Sequence, residues 1–121
     1  MSINYGSKRL VVGAHYGLRD WLSQRITAIL IALFALVLMA QVCFTKGPID
    51  YAAWRAIFDA QWMRLFAFVT AVAVLWHAWV GVRDIWMDYV PAAGLRLFMD
   101  VLTIVWLVGC AGWVFQILWR L

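Results

Sequence analysis

His77 is the residue of this sequence best placed to do chemistry. It stands near the end of a run, Leu65 to Val82, that carries no charged side chain. Ionisable groups are costly inside such a stretch and are kept there for a task. An imidazole at that depth serves as a haem or metal ligand, as a proton relay, or as a hydrogen-bonding group across a helix interface. At helical spacing Thr70, Ala73, His77 and Gly81 share one face. Small residues on either side of the ring let a second helix approach closely, and they equally leave a flat wall for a planar macrocycle. Trp76 and Trp79 point to other faces. Beyond Val82 the chain turns polar and reaches Asp88-Tyr89-Val90-Pro91. Tyr89 offers a phenolic donor able to stabilise charge growing on an oxygen, and it equally suits a membrane-interface anchor. Asp88 and Asp84 read as proton-relay or orienting acids, or as solvated loop acids. Arg25 suits a carboxylate partner as well as it suits a topology determinant.

A second histidine, His15, lies well before the first long apolar run. The chain is therefore not expected to supply both axial ligands of a membrane haem. If haem is bound, the other ligand comes from a second polypeptide, so the sequence predicts obligate partnership. The two cysteines, Cys43 and Cys110, are far apart and form no metal-binding spacing, and they read as small core residues.

These side chains must be positioned by membrane-spanning helices. Of the 121 residues, 67% are hydrophobic and 13% charged, against roughly half and a quarter in soluble domains. All six acids are aspartates outside the long apolar runs or at their edges. The net charge of +4 comes from scattered bases, a pattern that sets topology or meets anionic lipid and does not suit nucleic acid. Three spans are expected, roughly 26–44, 65–82 and 97–119, in one all-α membrane-anchor domain covering 1–121. Each approaches the ~20 residues that cross a bilayer. Asp100 interrupts the third near its start. The first is too long for a signal-peptide core, and about 25 residues with several charges precede it. Gly47-Pro48 breaks the chain after it. The segment Ile49 to Trp62 then carries Tyr51, Trp54, Ile57, Phe58 and Trp62 at helical spacing, as an amphipathic surface helix or a loop packed on a partner would. Pro91 centres the loop between the second and third spans, and Trp21, Trp62, Trp86 and Trp119 mark an interfacial belt. Lys8, Arg9, Arg19, Arg25, Arg83 and Arg96 fall on one side of the membrane, against Lys46, Arg55, Arg64 and Arg120 on the other. That bias places the N-terminus in the cytoplasm, with His77, Asp88 and Tyr89 toward the cytoplasmic face.

His77-Ala78-Trp79-Val80-Gly81, then Asp84, then Asp88-Tyr89-Val90, resembles the signature of the small hydrophobic anchor subunits of bacterial succinate dehydrogenase, the cytochrome b556 D subunits of respiratory complex II. The likeness extends to Asp20 through Ala28 and to Leu95-Arg96-Leu97. It implies a haem b shared with a companion cytochrome b556 C subunit, with His77 as one axial ligand. It implies that Tyr89 hydrogen-bonds a carbonyl oxygen of ubiquinone with Asp88 beside it, and that Arg25 lies near the haem propionates. Some relatives have a histidine where this chain has Arg19, whose charge suits the same role. It further implies a flavoprotein and an iron–sulfur subunit held at the inner membrane, feeding electrons from succinate to ubiquinone. Two rivals are a fumarate reductase anchor and a small transporter subunit. Some anchors of the first kind lack haem, and His77 argues against those. The second needs a polar path through several spans, whereas only the second span carries an ionisable residue well inside.

Overall fold

The chain breaks at Gly47-Pro48, at 58–60 and at Pro91, and helices fill the lengths between these breaks. The structure is a computed structural model that describes residues 4–120, with side chains described from Gly17 onward. It contains α1 (Asn4–Phe44), α2 (Tyr51–Ile57), α3 (Gln61–Tyr89) and α4 (Ala93–Trp119), and no strand among the described residues. Three helices are long and apolar enough to cross a membrane, over Gly17–Phe44, Gln61–Tyr89 and Ala93–Trp119. Each contains the span expected from sequence and mostly overruns it, because a charge ends an apolar run without ending a helix. Arginine and lysine are good helix formers. The segment before the first span, expected as a tail, is thus a continuation of α1. His15 lies in it, with its side chain outside the described residues.

Thr45 closes α1 by donating from Oγ1 to the Gln41 carbonyl at 2.7 Å. Gly47 then reverses the chain at φ +89°, and an added Cβ there would meet no atom within 4 Å. The cost of a side chain at Gly47 is therefore conformational alone. Gly47→Ala is expected to lower stability by about 1 kcal/mol, the penalty of a left-handed conformation. Gly94→Ala, in open space on a helix with ordinary φ, is expected to lower it not at all. Denaturant-titrated unfolding in detergent measures both.

The expected surface helix over Ile49 to Trp62 is realised as the shorter α2. Asp50 caps it, accepting from the Ala53 N–H at 2.8 Å. Arg64 ends it by donating from Nε to the Phe58 carbonyl at 2.8 Å, so Trp62 belongs to α3. Ile57 is the buried residue of α2, and the Trp54 and Phe58 rings lie 5.3 Å apart, tilted by 59°.

α3 is the central element and packs extensively on both α1 and α4. Over its apolar window 22% of residues are buried, against 6% in each of the outer two helices. Partners on α1 and α3 run in opposite order: Asp20 with Arg83, Thr27 with His77, Phe34 with Phe66, Gln41 with Met63. The pair is antiparallel. α4 runs antiparallel to α3 in turn, with Trp86 Nε1 donating to Thr103 Oγ1 at 3.1 Å and Phe68 edge-on to Phe115 and Trp119. Two tryptophans expected in the interfacial belt, Trp86 and Trp119, therefore serve helix–helix contact. On α3, Met63, Thr70 and His77 repeat every seven residues, as do Ala73 and Val80. Met63, Thr70, Ala73 and Val80 are the buried residues of this helix. A seven-residue repeat of this kind is the seam of packed helices. Most large apolar side chains on the outer faces of α1 and α4 are exposed, among them Leu36, Met39, Val105, Trp106 and Trp113. Such a surface suits lipid or other membrane subunits.

Candidate functional site

His77 reaches its place because α3 presents its seam to α1. The ring is half-buried, and Nδ1 lies 3.0 Å from Thr27 Oγ1 on α1. Thr27 is 7% exposed, and its hydroxyl also sits 2.7 Å from the Ser23 carbonyl and 3.2 Å from that of Gln24. The hydrogen bond across a helix interface, one of the sequence readings of His77, is thus present and uses one ring nitrogen.

The ring lines an open groove of about 610 Å³ between α1 and α3. Gly17, Gln24, Arg25 and Ala28 contribute from α1, and His77 and Asp84 from α3. Arg25 holds its guanidinium 5.4 Å from the centre of the Trp21 ring, a cation–π arrangement that keeps the charge at the groove wall. At the polar end Arg83 pairs with Asp20, each about one-third exposed, tying α3 to α1. Gln24 Oε1 and Arg83 Nε are buried with no hydrogen-bond partner among the described residues. Among the same residues no three metal-ligating side chains converge. The imidazole lining this groove is that of His77.

The small residues beside His77 serve the approach of α1. Ala73 is buried, and a Cβ built on Gly81 would lie 3.9 Å from Gln24 Nε2. Gln24 thus stands beside the small-residue face where a flat wall for a macrocycle is expected, and His77 opens onto the groove.

The structure brings together His77, Arg25 and Asp84, but not the remaining candidates. Arg19 is exposed and does not line the groove. Asp88 and Tyr89 are exposed at the last turn of α3, Tyr89 by 78%. Twelve residues separate Tyr89 from His77, about 18 Å along a helix axis. Asp84 and Asp88 fall on the His77 face of α3 at helical spacing, whereas Tyr89 stands about a third of a turn away. Asp100 has one carboxylate oxygen buried without a partner among the described residues. Cys43 and Cys110 are free thiols, the first exposed.

Thr27, Gln24 and the Asp20–Arg83 pair were not singled out from sequence. All but Arg83 lie within the segment Asp20 through Ala28, whose likeness to a family was noted. The missing signal was the register of α1 against α3, which makes a hydroxyl the neighbour of an imidazole fifty residues later.

The sequence matches, over residues 4–111, the family described as succinate dehydrogenase/fumarate reductase transmembrane subunit. It is 38% identical over 103 residues to the succinate dehydrogenase hydrophobic membrane anchor subunit of Coxiella burnetii (strain RSA 493 / Nine Mile phase I), a match covering 85% of this chain and 89% of that protein. The family match contains the whole groove together with Asp88 and Tyr89. With three membrane-length helices, two of which form that groove, the chain is a multi-pass membrane anchor and belongs to the succinate dehydrogenase/fumarate reductase transmembrane subunit family.

Proposed function

We propose that this chain anchors a succinate dehydrogenase in a bacterial inner membrane, shares a b-type haem with a companion anchor subunit through His77, and contributes Tyr89 and Asp88 to the ubiquinone site. One observation carries the reading: a half-buried imidazole, engaged at one nitrogen only among the described residues, lines a groove that also holds an arginine. The residues fit a haem on that ground. The ring keeps one nitrogen for iron, and Arg25 offers a planar guanidinium suited to a carboxylate such as a propionate. Arg19, exposed earlier on α1, is a second candidate for that charge. A haem bound here would supply a one-electron redox centre.

The chain's own residues do the rest. Tyr89 holds a proton at Oη and donates it in a hydrogen bond to a quinone carbonyl, stabilising negative charge as electrons arrive. Asp88 beside it orients a neighbouring base or passes a proton inward. The excess of lysine and arginine on the N-terminal side puts this end of α3 in the cytoplasm, where a flavoprotein and an iron–sulfur subunit deliver electrons from succinate. The likeness to a succinate dehydrogenase anchor favours this direction over fumarate reduction.

Purification through a tag on this chain tests the whole reading. The expected product contains a flavoprotein, an iron–sulfur protein and a second small membrane subunit. It shows a b-type band in the reduced-minus-oxidised spectrum and reduces ubiquinone with succinate. A preparation with flavin but no b-type band overturns the haem assignment, and one with no flavin overturns the anchor's proposed partners.

A further inference from the structure

We propose that Thr27 is the positioning residue for His77: it fixes the tautomer that leaves Nε2 unprotonated and sets the plane in which the ring meets its ligand. This deepens the haem reading above and rests on it.

Thr27 Oγ1 has one proton and three neighbours. The carbonyls of Ser23 and Gln24 are acceptors only, and the Ser23 oxygen is the nearest at 2.7 Å. Bonding back to the carbonyl four residues earlier is the usual habit of a threonine within a helix. The hydroxyl proton is spent there, so Oγ1 turns a lone pair to His77. The imidazole must then be the donor at 3.0 Å, with its proton on Nδ1. A neutral ring protonated at Nδ1 has its lone pair on Nε2. The opposite tautomer would set Nδ1 and Oγ1 lone pair against lone pair while the hydroxyl faces Ser23.

The arrangement also determines how strongly the ring donates. A ligand histidine is aimed and made more basic by the group that accepts from its other nitrogen. Here that group is a hydroxyl, polarised by its own donation to Ser23, and uncharged. It strengthens the imidazole less than a carboxylate would. Thr27 is nearly inaccessible, so solvent does not compete for the bond.

The test is made in the purified complex. Thr27→Val keeps the shape and removes the acceptor, and Thr27→Ser restores a hydroxyl. With flavin content unchanged, Thr27→Val is expected to raise the ferrous-to-ferric ratio of the haem at a fixed solution potential severalfold, because an imidazole with no acceptor at Nδ1 donates less and stabilises ferric iron less. It is also expected to move the low-spin electron paramagnetic resonance lines, which report ring orientation. Thr27→Ser is expected to return both toward wild type. Wild-type ratio and line positions in Thr27→Val overturn the proposal while leaving His77 as ligand. If Thr27→Val does not assemble, Thr27→Cys, with a weak sulfur acceptor, carries the same reading, and unchanged signals there overturn it equally. A wild-type complex without a b-type spectrum fails the haem reading itself.

Discussion

Replacing His77 with alanine is expected to abolish the b-type band of the purified complex while its flavin content stays near wild type. The variant removes the imidazole that lines the α1–α3 groove, the side chain proposed as the iron ligand. Even the loss of a group that merely orients a ligand weakens metal sites by about ten- to a hundredfold. Loss of the ligand itself is expected to exceed that, so haem per flavin should fall by at least about tenfold. The change also strips Thr27 of its partner on α3, at a cost of about 1 kcal/mol for one hydrogen bond. The helices remain joined by the Asp20–Arg83 pair, the Gln41–Met63 contact and the Phe34–Phe66 rings, so the chain still folds and anchors. Haem extraction and flavin assay on the same sample give the ratio. An unchanged ratio would mean that His77 is an interhelical hydrogen-bonding residue and nothing more.

Tyr89→Phe separates quinone chemistry from membrane anchoring. The substitution deletes one hydroxyl from a side chain that is 78% exposed, so neither packing nor stability is expected to change. If the hydroxyl stabilises charge on a quinone oxygen, its loss lowers succinate-dependent ubiquinone reduction by about a hundredfold, the scale set by removing one such donor elsewhere. Reduction of an artificial dye that takes electrons upstream stays at the wild-type rate. Haem content also stays constant, because Tyr89 lies about 18 Å along the helix from His77. A ring acting only as an interfacial anchor predicts unchanged quinone turnover, and that result would remove Tyr89 from the site.

The two variants draw on different kinds of sequence information. His77 is visible because it interrupts seventeen apolar or neutral neighbours between Leu65 and Val82, and no tertiary knowledge is needed to notice it. The stop at Pro91 was legible for a similar reason, although the stretch from Arg83, which reads as loop, is helical through Tyr89. The upper limits of the helices were less so: Arg19, Asp20 and Arg25 mark where the hydrocarbon stretch stops, yet α1 continues through them. Contacts between helices were the least legible. Trp86 and Trp119 suit interfacial anchors, and their contacts with Thr103 and Phe68 across the α3–α4 seam are not visible in the sequence. Thr27 is the sharpest case. One hydroxyl in a helix normally bonds to its own backbone, and nothing local marks the one whose second lobe meets an imidazole. That knowledge requires the rotation and the register of two helices, neither of which is written in a single apolar stripe.

The bond between Thr27 and His77 also gives biosynthesis a direction. A ribosome releases the hydroxyl fifty residues before the imidazole, so the first helix enters the bilayer long before its partner is made. The ring takes up its bearing only when the hairpin shuts, and a nascent chain arrested earlier carries an imidazole free to spin.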